Sequence, residues 1–187
     1  MMNVGHQQRC SSAEWAEKLG YDILPWGLEG VPLHGDVLEF GPGYGASTAV
    51  LVGACGNLTI VESDPELAAA LRAKFPGTDI RHGDATATGF EPASYDTVVC
   101  FTMLHHVSPP EAQDKLFAEA ARVLRPGGRF AGTDSRGSDD LLAFHEDDVY
   151  EPIDPYALPD RLRAAGFGDV SVDLRDGVFR FQARLPR

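Results

Sequence analysis

The sequence predicts an α/β protein: a mostly parallel sheet with helices on both faces, closed by an antiparallel hairpin. Three observations carry this. From Asp36 to Thr133, apolar runs of strand length alternate with segments of helical spacing. The first run, Val37-Leu38-Glu39-Phe40, leads into Gly41-Pro42-Gly43-Tyr44-Gly45 and then small residues, the order of a buried strand, a tight turn and a helix whose first amides face a ligand. Near the end, only Arg175-Asp176-Gly177 separates two strand-like runs. That is too short for a parallel crossover, and Asp-Gly is a hairpin turn signal.

The elements follow in order. Ser11–Gly20 reads as a short helix capped by Ser11 or Ser12, with Trp15 and Leu19 on one face. Tyr21–His34, with Pro25, Gly27, Gly30 and Pro32, reads as an irregular linker. Strands are expected at Asp36–Phe40, Leu58–Glu62, Asp79–His82, Tyr95–Phe101 and Arg129–Thr133. Helices are expected from Gly45 to Val52, after Asp64-Pro65 with Leu67 and Leu71 inward, and after Ser108. There Ser108 and Glu111 form a capping box, and Leu116, Ala120, Val123 and Leu124 form the apolar face. Leu158–Ala165 is a last short helix, followed by strands Asp169–Leu174 and Val178–Ala183. The long polar segment Asp134–Ile153 is of a length usually reserved for function, and Asp139–Phe144 is its candidate helix.

Length and composition fit one domain, residues 1–187, with 1–34 as an N-terminal helical or lid segment. No run of about 18 apolar residues is present, so no membrane span is expected. The first residues, Met1 to His6, lack the blocks of a signal peptide, and the expected location is cytoplasmic. Cys10, Cys55 and Cys100 are scattered and fit neither a disulfide framework nor a zinc site. The net charge of −12, without a basic cluster, argues against a nucleic acid or an anionic membrane as partner and favours a small neutral or cationic ligand.

Candidate binding residues cluster at the strand ends. Gly41, Gly43 and Ala46 satisfy a dinucleotide fingerprint, which leaves an NAD-dependent oxidoreductase as one reading. Glu62, ending the second strand, suits the two hydroxyls of a ribose, at about 1.5–3 kcal/mol per charge-assisted bond. Asp84, after the third strand, suits an adenine amine or a local turn. Glu39 stands before the first glycine; a carboxylate there repels pyrophosphate and attracts an ammonium or sulfonium, by about 4 kcal/mol at ~4 Å and an effective dielectric near 20.

Taken together, Glu39-Phe40-Gly41-Pro42-Gly43-Tyr44-Gly45 resembles the glycine turn of class I S-adenosylmethionine-dependent methyltransferases. Tyr95-Asp96-Thr97-Val98-Val99 resembles their fourth strand, and Leu104-His105-His106-Val107 the segment that follows it in many small-molecule members. Leu124–Phe130 and Ala165-Gly166-Phe167 are similar to the approach to their fifth strand and to their ending. The resemblance implies a Rossmann-like seven-stranded sheet of order 3-2-1-4-5-7-6 with strand 7 antiparallel. It implies S-adenosylmethionine as methyl donor, S-adenosylhomocysteine as product and a small-molecule acceptor. By position, Gly41, Gly43 and Gly45 pass under the methionine moiety, Glu39 faces its amino group and Glu62 holds the ribose. Ser63, Asp84 and Ala85 bound the adenine, and Phe101 and Thr102 approach the sulfonium. The Asn/Asp-Pro-Pro-Tyr/Phe motif of adenine or glutamine methylation is absent, its place taken by Thr102-Met103-Leu104-His105.

His105 and His106 are candidates for a general base; capping or packing against the next helix is the other reading. Trp15, Trp26, His145 and Tyr150 are candidates for the substrate pocket, with the tryptophans alternatively stapling the N-terminal segment to the core. His145-Glu146-Asp147-Asp148 lacks a second spaced ligand set, so no metal is expected. A protein that binds the methyl donor without transferring its methyl stays open as a third reading, as do the acceptor atom and the oligomeric state.

Overall fold

The computed structural model describes residues 3–187; Met1 and Met2, where the N-terminal segment was expected to begin, lie outside the described residues. Its centre is a seven-stranded sheet formed by β1 (Asp36–Phe40), β2 (Asn57–Glu62), β3 (Asp79–His82), β4 (Tyr95–Phe101), β5 (Leu124–Ser135), β6 (Gly168–Arg175) and β7 (Val178–Arg184). The order is β3-β2-β1-β4-β5-β7-β6. The first five strands pair in parallel, and β7 runs antiparallel to both β5 and β6. This is the predicted sheet, including its reversed strand.

Alternation along the strands sorts side chains to the two faces. Leu38, Phe40, Val98 and Cys100 join the larger core with Phe117, Phe130, Phe179 and Phe181, beneath α6 (Pro110–Val123) and α8 (Leu158–Ala164). Val37, Val99 and Phe101 turn the other way. They meet Leu51 of α4 (Ala46–Ala54) and Leu19, Ile23 and Leu24 of the N-terminal segment. Asp64 caps α5 (Pro65–Lys74) as expected, accepting from the amides of Glu66 and Leu67.

Two local expectations fail. The segment expected to be an irregular linker is helical at its start: after α1 (Val4–Cys10) and α2 (Ala13–Lys18), a π-helical turn over Leu19–Ile23 leads into α3 (Leu24–Gly27). Leu19, Ile23 and Leu24 are buried, and Pro25 falls in the first turn of α3, where a proline is tolerated; burial overrides the breakers. The capping box at Ser108 does not form. Pro109 is the N-cap of α6, with no side-chain cap, and the Ser108 hydroxyl lies 3.4 Å from Glu151 instead. The long polar segment does contain α7 (Asp139–Phe144), capped by Ser138.

Candidate functional site

The glycine turn and the end of β2 are tied together. Gly41 N–H donates to the Val61 carbonyl (2.8 Å), and Gly43 N–H to Glu62 Oε2 (2.9 Å). Glu62 Oε1 accepts from the Asp64 amide at 3.0 Å. The buried carboxylate is thus oriented by backbone donors on both oxygens, with acceptor capacity left for a ligand's hydroxyls. Gly41 (φ 56°) and Gly43 (φ 57°) both need the left-handed region. A Cβ at Gly41 would come within 2.7 Å of Met103, whereas one at Gly43 would meet no atom within 4 Å, because that position opens onto a cavity.

This cavity, of about 430 Å³, lies at the carboxyl ends of β1, β2 and β4. The glycine turn, Glu62 and Ser63 line its floor, and Phe101, Thr102 and Met103 one wall. His6, Cys10, Trp15 and Leu19 line it from the N-terminal segment, and His106, Asp148 and Val149 complete the lining beside His6, which pairs with Asp148. A second hollow of about 290 Å³ shares Gly41, Ser63, Met103 and His106 and adds Asp84 and Ala85. Among the described residues, the Asp, Glu, Lys and Arg side chains lining the main cavity are all acidic: Glu62, Asp64 and Asp148. Thr102 stands out for its backbone: a β-branched residue at φ 51°, its amide donating to the Thr133 carbonyl at 2.7 Å.

Glu39 requires a correction. It shares the face of Val37, so its carboxylate points into α4 and is absent from the cavity lining. It is fully buried and accepts from the Ser47 hydroxyl and from the Thr48 hydroxyl (2.7 Å). Burial pushes its carboxyl up to about 7, against the pull of those two hydroxyls and with help from the charge of Glu62. Glu39 therefore anchors the start of α4 and does not face a ligand's ammonium. Gly45 likewise sits behind the turn, where a Cβ would overlap Leu71 and Phe75 of the next helix region.

The histidines divide. His105 is buried away from the cavity, its Nδ1 2.5 Å from Asp134 Oδ1 while its amide donates to Asp134 Oδ2 (3.2 Å). Burial raises the Asp134 carboxyl, but the charge and hydrogen bond of His105 outweigh it and the net shift is downward. A contact with the acceptor at His105 is thus not what the structure offers. His106 does line the cavity. Its Nδ1 donates to the Val149 carbonyl (3.0 Å), and burial pulls its pKa down to about 3. That leaves a neutral ring with Nε2 as its lone-pair nitrogen and little basicity.

Of the four expected pocket residues, only Trp15 lines the cavity. Trp26 lies under Arg175 and Arg180, whose guanidinium carbons are 4.8 and 5.2 Å from its ring, and its carbonyl accepts from Arg180 Nη1 at 2.7 Å. It staples the N-terminal segment to the terminal hairpin. His145 and Tyr150 stack on each other (4.4 Å between centroids) behind the cavity. Each keeps a buried polar atom without a hydrogen-bond partner, Nε2 and the hydroxyl respectively. Sequence reasoning missed His6, which caps no motif; 142 positions separate it from the Asp148 it pairs with at 2.7 Å, and nothing local signals that contact.

Comparison with known proteins bears on this arrangement directly. The methyltransferase-domain family matches residues 38–132, which run from β1 through the glycine turn, Glu62 and Asp84 into β5. The chain belongs to the class I S-adenosylmethionine-dependent methyltransferase family. A probable S-adenosylmethionine-dependent methyltransferase of Mycolicibacterium smegmatis is 36% identical over 95 residues, 51% of this chain and 36% of that protein. Ribosomal RNA small subunit methyltransferase A of Chlorobium chlorochromatii is 41% identical over 63 residues, 34% of this chain and 24% of that protein. The match thus spans about a quarter to a third of these relatives' own length. Among solved structures, the DhpI–SAH complex has the same fold (TM-score 0.69, 23% identity), covering 97% of this methyltransferase chain and 98% of its own. Family membership, with the reversed last strand, sets aside the oxidoreductase reading that the glycine spacing alone allowed.

Proposed function

We propose that the chain is a cytoplasmic methyltransferase that moves the methyl group of S-adenosylmethionine to a small-molecule acceptor, built as one domain in which the described part of the N-terminal segment, residues 3–34, roofs the site. The observation that carries this is the cavity: a glycine cradle open at Gly43, a backbone-oriented Glu62 and exclusively acidic charge around it. Such a lining favours a cationic ligand over one bearing pyrophosphate. Its volume of about 430 Å³ falls in the range of roughly 300–1,000 Å³ usual for small-molecule sites. No helix among the described residues is long and apolar enough to cross a membrane.

In this reading Glu62 accepts the ribose hydroxyls, Gly41 and Gly43 let the backbone lie along the methionine moiety, and Ser63, Asp84 and Ala85 border the adenine. Gly45 supports the turn from behind. Phe101 and Thr102 border the reacting end, and Trp15 and Leu19 exclude water from above. The donor brings a methyl group already activated on a sulfonium, so the protein's share is orientation and exclusion of water. His106, neutral and held by Val149, borders the acceptor space and is not the group that removes a proton.

An RNA acceptor is the second reading, favoured by the match to the ribosomal RNA methyltransferase; the net charge of −12 weighs against it. Calorimetry with S-adenosylhomocysteine and NADH tests the donor: binding is expected only to the former, and the reverse result refutes the proposal. Transfer of labelled methyl to a panel of small hydroxyl, amine and thiol compounds, run beside ribosomal RNA, tests the acceptor. Label appearing in RNA alone overturns the small-molecule assignment.

A further inference from the structure

The geometry points to a divalent transition-metal site, of the zinc class, held by His6, His106 and His145 in the wall of the donor cavity. One ligand atom from each of these residues and from Asp148 lies within 4.8 Å of the others. The residues come from α1, the turn after β4 and the segment following α7, so only the fold assembles them.

The tautomers follow from the partners. His106 Nδ1 meets the Val149 carbonyl (3.0 Å) and His145 Nδ1 the Leu141 carbonyl (2.7 Å). A carbonyl oxygen only accepts, so both nitrogens carry the proton and each ring's lone pair is on Nε2. His6 Nδ1 meets Asp148 Oδ2 at 2.7 Å, which places its lone pair on Nε2 as well. Three imidazoles are therefore fixed in the ligating tautomer, each by an acceptor on the far nitrogen. This is the outer-sphere pattern of metal-bound histidine, with a carboxylate–histidine pair at His6 and backbone carbonyls at the other two.

A second observation asks for a ligand at this place. His145 is 4% exposed, and its Nε2 is buried with no hydrogen-bond partner. The rings of His6, His106 and His145 lie 4.6–5.3 Å apart between centroids, close enough for one cation to join their lone-pair nitrogens. Donor atoms around a tetrahedral zinc at Zn–N of about 2.0–2.1 Å are closer together than 4.8 Å, so binding draws the rings inward by a side-chain rotation. Imidazole donors suit zinc, copper, iron or nickel and not magnesium or calcium. Because His6, His106 and Asp148 line the cavity while His145 lies behind it, the fourth position of such an ion opens toward the ligand space, the three-ligand arrangement of catalytic rather than structural zinc. The stretch His145–Asp148, which had no second ligand set in sequence, acquires one from His6 and His106.

The test is a titration of the chelator-stripped full chain with Co²⁺, read by visible absorption and by metal content after gel filtration, with Zn²⁺ as competitor. One equivalent of Co²⁺ with the strong absorption of a low-coordinate ion, displaced by Zn²⁺, is the expected result. His6→Ala and His145→Ala should each weaken Co²⁺ binding by more than the ~10–100-fold that loss of an outer partner costs, and Asp148→Asn by about that amount. His34→Ala, at an exposed histidine beside the opposite end of β1, should leave affinity unchanged. If His145→Ala fails to fold by circular dichroism, His6→Ala decides. Absence of stoichiometric uptake by the unaltered chain, or uptake indifferent to His6→Ala, overturns the site. No methyl donor is present in the titration, so this outcome is separate from the fate of the methyl-transfer proposal.

Discussion

Replacing Glu39 by Gln isolates one buried ionisation. The folded protein holds this carboxyl at about 7, against an ordinary value of 4.5, chiefly because burial penalises the anion. A raised folded pKa contributes stability that is complete below the unfolded value and is lost as pH rises through the folded one. For Glu39 the loss runs from about pH 4.5 to about pH 7, and between about pH 5 and about pH 8 it amounts to roughly 2.5 kcal/mol. Glutamine has no charge to desolvate. Its one amide oxygen keeps one of the Ser47 and Thr48 hydroxyl bonds and loses the other, a cost that does not vary with pH. Urea denaturation of both proteins at the two pH values removes every titration they share. The stability difference should move toward the Gln variant by about 2.5 kcal/mol on going to the higher pH, or by some 5–10 °C in relative Tm. Parallel pH profiles would refute the assignment of a neutral, desolvated Glu39.

Further outcomes follow from the same geometry. Glu62→Ala should weaken S-adenosylhomocysteine binding at least 100-fold, since two charge-assisted bonds of about 1.5–3 kcal/mol are lost; calorimetry measures it, and an unchanged affinity would place the ribose elsewhere. Trp26→Ala should lower stability by about 1–2 kcal/mol through its two guanidinium contacts while donor affinity stays within about twofold, measured by denaturation beside calorimetry; a large affinity loss would return Trp26 to the pocket. Leu24→Ala, at a fully buried position, should cost about 2–5 kcal/mol in urea denaturation; a loss below about 1 kcal/mol would mean that α3 does not belong to the core. Thr102→Gly should leave stability unchanged or raise it by up to about 1 kcal/mol, because glycine adopts φ 51° without strain; a clear loss would mean that the threonine side chain supports the wall.

The sheet was legible because its signals are local: strand-length apolar runs, the glycine turn and a three-residue hairpin connection each declare themselves within a dozen residues. The residues at strand ends were legible for the same reason, and Gly43, Glu62, Phe101 and Thr102 do border the cavity. Glu39 was misjudged although its position was read correctly. Strand parity puts it on the face of Val37, toward α4, and that parity was available in the sequence. The N-terminal segment was illegible in detail because Pro25 and Gly27 signal a break, while the burial of Ile23 and Leu24 that overrides them depends on strands more than ten residues away. The histidine cluster combines positions 6, 106 and 145, and no window or spacing rule reaches across such a distance.

The place of β7 has a consequence for the order in which the molecule is made. This strand comes last along the chain yet sits inside the sheet, between β5 and β6. Until residues 178–184 are available, β5 is a bare edge that includes Phe130 and Thr133, and β6 has no neighbour to join. A nascent chain that has completed the first five strands therefore carries an unpaired seven-residue template, free to capture a strand of another molecule. Its own last strand must arrive before a stranger's does.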